Sequence, residues 1–277
     1  MGRIRGWPAT LTEPDLLDAP VVLRPVRVCD VRDERRAQEA NASWLRPWQP
    51  SAPGQAPVRS PIEPYVAMVR QSPIRPYLSV IRRRWNARWG SELLWAVRYG
   101  EHFAGQVTIW SFAWGPSRSA KVGYWIDKQF AGRGIIPTVL AMAVDYCFNV
   151  AALHRLEAGV RPENVASRRV VEKLGFRDEG TRVREVHIDG AWRDHVCYAI
   201  TAEDVPGGMS VQWRSSFAAS RSSRLAPSLG RLPSITAALP ALLCTESMAM
   251  YPADRMGENV YDRRLTGQPV RGDEAGS

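Results

Sequence analysis

The chain has 277 residues, 45% of them hydrophobic, and a formal charge of +9, enough apolar material for one generous core or two small ones, of which one is the simpler expectation. It has no run of about 18 apolar residues, and the opening Met1-Gly2-Arg3-Ile4-Arg5-Gly6-Trp7 lacks the apolar stretch of a secretion signal, so a soluble, cytoplasmic protein with no membrane partner is expected. Cys29, Cys147, Cys197 and Cys244 lie far apart without paired or His-rich neighbours, a pattern that argues against a metal site and for buried free thiols.

The positive charge is almost all Arg, with Lys only at 121, 128 and 173. Its scatter fits a solvated surface, and no recognisable nucleic-acid module accompanies it.

Residues 1–18 carry Gly2, Gly6, Pro8 and Pro14 with little periodicity and read as a flexible lead-in. The run Val21 to Val26 is a first strand whose Pro25 suits an edge or an end. Val31 to Trp44 favours helix, with Asp30 placed to cap it. Pro47, Pro50, Pro53, Pro57, Pro61 and Pro64 then forbid regular structure. Short helices are expected over Tyr65 to Arg70 and Leu78 to Arg88.

Leu93 to Tyr99 and Phe103 to Trp110, split by Gly100-Glu101-His102, form a hairpin, and Ala120 to Ile126 adds a third antiparallel strand. The grammar then changes to helix (Thr138 to Phe148), strand (His154 to Val160) and helix (Ala166 to Leu174, stopped by Gly175), which is that of a parallel crossover. Arg182 to Ile188 and His195 to Ile200 close the series around a turn at Asp189-Gly190. Beyond Pro206 the composition shifts to Ser, Arg, Pro and Gly, and residues 207–277 read as a disordered or loosely structured tail.

The stretch Tyr124-Trp125-Ile126-Asp127-Lys128-Gln129-Phe130-Ala131-Gly132-Arg133-Gly134-Ile135-Ile136-Pro137 runs from a strand through a Gly-rich turn into a helix. Such a turn offers unpaired N–H groups and a partial positive charge to an anion, and Pro137 suits the first helical turn. By itself Gly132-Arg133-Gly134 fits an ordinary strand-to-helix turn equally well. Dinucleotide and nucleoside-triphosphate loops are disfavoured, because there is no GxGxxG and no Gly-Lys-Ser/Thr ending.

A second stretch, Arg161-Pro162-Glu163-Asn164 followed by Ala166-Ser167 and Glu172-Lys173-Leu174-Gly175-Phe176, resembles the second half of the GNAT acetyltransferase core. Gln129-Phe130-Ala131-Gly132-Arg133-Gly134 resembles that family's pyrophosphate loop. With Asp189-Gly190-Ala191-Trp192-Arg193-Asp194-His195, the pattern is most similar to the ribosomal-protein alanine N-acetyltransferase branch. The resemblance covers residues 18–203; Ile136 and the long tail depart from the family pattern.

The resemblance implies an α/β (α+β) GNAT fold over residues 19–206. Its central sheet would be mixed and mostly antiparallel, with six to seven strands, helices on both faces, and a splay between two central parallel strands, Val122 to Ile126 and Leu156 to Val160. It implies an acetyl-CoA-dependent N-acetyltransferase working by direct attack of an amine. Tyr124, Trp125, Ile126, Gln129, Ala131, Gly132, Arg133, Gly134, Ile135, Ile136 and Asn164 would hold coenzyme A; no metal is implied. Ser167 is the candidate acid for the departing thiolate, although Ser near a helix start also serves as a cap; Asn164 fits an N-cap equally. Glu157 is the candidate base if strand alternation points it into the site. His187, His195 and Asp194 border the acceptor side, and Trp44, Trp48, Trp110 and Trp114 either wall it or pack the core. The acceptor implied is a protein N-terminus, such as that of a ribosomal protein. A small amine (amino acid, polyamine or aminoglycoside) and a non-catalytic acyl-CoA-binding module are the alternatives, in a monomer or homodimer.

Overall fold

A computed structural model describes residue 4, residues 7–51, residue 53, four positions between 78 and 87, and residues 91–225. In chain order these give β1 (Leu11–Glu13), β2 (Val21–Pro25), α1 (Asp30–Ala40), α2 (Ala42–Leu45), β3 (Glu92–Tyr99), β4 (His102–Ala113) and β5 (Ser119–Ile126), then α3 (Ile135–Asn149), β6 (Arg155–Val160), α4 (Val165–Lys173), β7 (Arg177–Ile188), β8 (Ala191–Thr201) and α5 (Met209–Leu225). The strands form one eight-stranded sheet in the order β1-β2-β3-β4-β5-β6-β8-β7. Every neighbouring pair is antiparallel except β5 and β6.

The strand period of two decides which core each residue joins. Leu93, Trp95, Val97 and Tyr99 of β3 share one core with α3, while Leu94 and Ala96 join Val31 and Ala37 of α1 in a second core. Both faces of the sheet are therefore covered, which explains why β3 reads as a continuous apolar run. Strand β7 lies at the edge and is exposed over Arg177–Arg184; its charged side chains blunt that edge against further pairing.

Four expectations need correction. The lead-in is not featureless: β1 pairs with β2, making the sheet one strand larger than expected, and Ile4 is buried. The boundary at residue 206 falls short, because α5 docks on α3 with Met209 and Trp213 buried. Asp30 does not cap α1: Cys29 holds that position, and the Asp30 carboxylate accepts instead from Arg24 (2.6 and 2.7 Å) and from the Arg27 N–H (2.7 Å). Cys29 is exposed, whereas Cys147 and Cys197 are buried; Cys244 lies outside the described residues.

Much of the Pro-rich loop and all of 65–70 also lie outside them, although Leu78, Val80, Ile81 and Ala87 are helical. No helix among the described residues is long and apolar enough to cross a membrane.

Candidate functional site

Strands β5 and β6 pair only at Ser119↔Arg155, Ala120↔Leu156 and Lys121↔Glu157. Beyond Lys121 they diverge, yet each keeps its outer neighbour: β4 stays with β5 as far as Ile126, and β8 stays with β6 as far as Val160. The wedge between them exposes strand backbone without ladder partners, a costly arrangement unless something else pairs with it. A groove of about 340 Å³ opens on one side of the wedge and a cavity of about 270 Å³ on the other. Trp48, Tyr124, Asn164 and Ser167 line both, so the two spaces meet at these side chains.

The Gly-rich turn forms the far end of the groove. Asp127 caps a single 3-10 turn, Lys128–Phe130, by accepting from the Gln129 N–H. The buried Asn41, just past α1, accepts from the Lys128 N–H at 2.9 Å. Gly132 and Gly134 sit at φ +80° and +83°, in the left-handed region that glycine enters without penalty. Among the described residues, none of the N–H groups from Gly132 to Ile136 donates to a main-chain carbonyl. A Cβ at Gly132 would meet nothing within 4 Å. An open turn with unpaired amides at the start of a 15-residue helix has the donor set that a diphosphate needs.

Of the residues expected to hold coenzyme A, Tyr124, Trp125, Ile126, Ala131, Gly132, Gly134, Ile135, Ile136 and Asn164 line this groove. Gln129 and Arg133 do not. The Gln129 amide donates to Asp127 at 3.0 Å, and the Arg133 guanidinium lies 5.9 Å from the Phe130 ring centroid. Trp44 and Leu45 add an apolar wall.

At the junction, Asn164 caps α4 by accepting from the Ser167 N–H at 3.1 Å, and the Tyr124 phenol donates to the Ser167 carbonyl at 3.1 Å. Burial pushes the Tyr124 pKa far up, against a smaller lowering by the Ser167 contact, so the phenol stays protonated. Asn164, not Ser167, is therefore the cap, and Ser167 lines both spaces.

The second cavity carries ionised groups. Glu157 lines it, but both its oxygens are occupied, one by Arg155 (2.9 Å) and one by Arg182 (3.1 Å). Burial alone would raise its pKa; the two guanidinium groups outweigh that and hold it below the ordinary carboxylate range. Glu185, which sequence reasoning missed, reaches the same cavity from β7. Its Oε1 accepts from Arg182 (3.0 Å) and Lys121 (3.4 Å), and its Oε2 lies 3.7 Å from where a Cβ on Gly159 of β6 would stand. Burial again raises its pKa, and Arg182 and Lys121 bring it below normal. The buried His195 packs beside the same glycine.

Residues 46–50 roof the cavity. Arg161 donates to the Pro47 carbonyl at 2.7 Å and lies 5.4 Å from the Trp48 ring centroid, while Pro50 bridges to Ile188. Trp48 and Trp110 line the cavity; Trp114 stacks on Phe112 against the core. His187 is engaged by Ser51 at 2.9 Å, and Asp194 accepts from the Arg184 N–H; neither lines the cavity.

A family model described as an acetyltransferase (GNAT) domain matches residues 21–177. The structure of RimJ from Mycobacterium smegmatis, solved with a CoA disulfide, is 37% identical with a TM-score of 0.66, covering 78% of this chain and 97% of that one. The chain is 40% identical over 104 residues to the Bacillus subtilis protein named "Probable N-acetyltransferase YjcK", covering 38% of this chain and 58% of that protein. It is 35% identical over 94 residues to the Escherichia coli [ribosomal protein uS5]-alanine N-acetyltransferase, covering 34% and 48%. The aligned segments thus span only about half the length of these two curated relatives.

Proposed function

This chain belongs to the acetyltransferase (GNAT) domain family, and we propose that it acetylates the N-terminal α-amine of a protein, a ribosomal protein being the acceptor class, with acetyl-CoA as donor. The observation that carries this reading is the parting of β5 from β6 beyond Lys121↔Glu157, with unpaired amides at one end of the resulting groove. Free strand backbone along the wedge suits the amides of a pantetheine arm, which would pair there like an added strand. The Gly132 to Ile136 amides would hold the diphosphate.

Bound acetyl-CoA supplies an acetyl group already activated as a thioester. The chain's own residues must take the proton that the neutral amine sheds as its nitrogen bonds to the acetyl carbon, and give one to the departing sulfur. Glu185 is suited to the first task, because it lines the cavity, its Oε2 lies beside Gly159 of β6, and that oxygen takes no hydrogen bond from the described residues. Glu157, with both oxygens clamped by arginines, is better suited to holding Arg182 against Glu185 than to moving protons. Ser167 lines both the groove and the cavity, and its hydroxyl is the proposed donor for the second task.

The acceptor cavity favours a peptide over a polyamine. Its two carboxylates, Glu157 and Glu185, are already paired with Arg155, Arg182 and Lys121, leaving no free anion for a second ammonium. A thiol-release assay with acetyl-CoA against peptides starting with Ala or Ser, beside spermidine, amino acids and an aminoglycoside, tests the proposal. Turnover of the peptides is expected. Turnover of small amines alone overturns the protein acceptor, and tight coenzyme A binding without any turnover overturns catalysis.

A further inference from the structure

Helix α5 lies antiparallel on α3 and touches it at both ends. At one end the Asp145 carboxylate accepts from the N–H groups of Met209 (2.6 Å) and Ser210 (2.9 Å), satisfying donors that a helix start otherwise leaves unpaired. From there Met209, Trp213 and Phe217, spaced four apart and so on one helix face, run toward the Gly-rich turn. The buried Trp213 donates from Nε1 to Thr138 Oγ1 at 2.9 Å, and that hydroxyl donates to the Gly134 carbonyl at 2.8 Å. The Phe217 ring edge comes within 2.9 Å of where a Cβ on residue 134 would stand, with Leu17 at 3.6 Å beside it. Arg214 pairs with the largely buried Glu13, fastening α5 to β1 as well.

We infer that α5 is a positioning element for the coenzyme A site: Trp213, through Thr138, and Phe217, through direct contact, hold Gly134 in its left-handed conformation and so fix where the Gly132 to Ile136 amides point. A hydrogen-bond chain ending on the carbonyl of the very residue at φ +83°, together with a ring that fills the space beside its Cα, constrains rotation of that peptide from two directions. The amides then need no reorganisation when a diphosphate arrives, which is where preorganisation raises affinity. The inference rests on the groove being the coenzyme A site.

The test uses the full chain and coenzyme A itself, with calorimetric Kd, KM for acetyl-CoA, kcat and Tm measured for three variants. Trp213→Phe keeps a buried ring and removes only the donor to Thr138. Phe217→Ala empties the space beside Gly134, and Ser216→Ala, on the exposed face of the same helix, is the control. Phe217→Ala is expected to raise Kd and KM by about ten- to a hundredfold at unchanged kcat, and Trp213→Phe by about tenfold, since small misplacements of binding groups have effects of that size. Ser216→Ala should match the parent. Variants that lose Tm but keep the parental Kd and KM at a temperature where they remain folded would reduce α5 to packing and overturn the inference. A parent chain that fails to bind coenzyme A overturns the proposed site first, and the inference with it.

Discussion

The Tyr124 phenol donates to the Ser167 main-chain carbonyl at 3.1 Å, joining the diverging end of β5 to the first turn of α4. Asn164 holds the same turn through the Ser167 N–H. The backbone of Ser167 is thus held from both sides at the junction of groove and cavity. Ser167→Ala should therefore leave the turn in place and remove only the hydroxyl. Steady-state kinetics should show kcat reduced about a hundredfold, the low end of what a positioned proton donor contributes, with coenzyme A affinity unchanged. Normal turnover would take Ser167 out of the mechanism.

Glu185 stays ionised through the working range, because Arg182 and Lys121 hold its pKa below the ordinary carboxylate value. The group that limits the reaction at neutral pH is then the acceptor α-amine, whose pKa lies near 8. The pH profile of kcat/KM should rise through about pH 8 and level off. Glu185→Gln should lower the plateau by about a hundredfold without moving that rise. A variant whose rise shifts, or whose plateau is untouched, would point to another base.

Gly134→Ala places a methyl group at a positive φ, which costs about 1–2 kcal/mol, and drives it against the Phe217 ring. Coenzyme A affinity should fall by more than about tenfold, measured by calorimetry. Gly115→Ala is the matched control: φ is +85°, but nothing lies within 4 Å. It should lose only the backbone cost of about 1–2 kcal/mol and bind coenzyme A normally.

Asp30 is almost fully buried against Arg24, whose side chain is only 13% exposed. Burial by itself would raise the Asp30 pKa; the Arg24 guanidinium and the Arg27 N–H bring it below the ordinary value. A lowered folded-state pKa means stability that is fully present above the unfolded value of about 3.9 and is lost as pH falls through the folded value. Asp30→Ala strands Arg24 and should cost about 3 kcal/mol at pH 7, read as a fall in Tm on the order of 10 °C. The gap between parent and variant should close on acidification below about pH 4.

Much of the architecture was legible because its signals are local. The hairpin at Gly100, the switch from period-two strands to helices after Ile126, and Gly175 as a helix stop all depend on neighbours in sequence. The Gly-rich turn was visible for the same reason. Glu185 was not, because it becomes part of the cavity only when β7, at the sheet edge, brings it across β8 to the wedge. Helix α5 was hidden by composition: Met209, Trp213 and Phe217 form a single narrow stripe amid Ser and Arg. Their four-residue spacing after Pro206-Gly207-Gly208 was the available signal. β1 is three residues long and carries almost no period to detect. Asp30 had the right residue type for a cap, but the tertiary partner Arg24 claimed it.

Leu17 and Phe217, far apart in sequence, converge on one glycine. A protein trimmed to 21–177, the part that the family model covers, would therefore keep the Gly-rich turn and lose both side chains that flank Gly134, along with strand β8 and nearly all of β7. An affinity handle, a reporter fusion or a proteolytic nick introduced between residues 208 and 217 would be an intervention at the proposed coenzyme site, however peripheral its position on the chain.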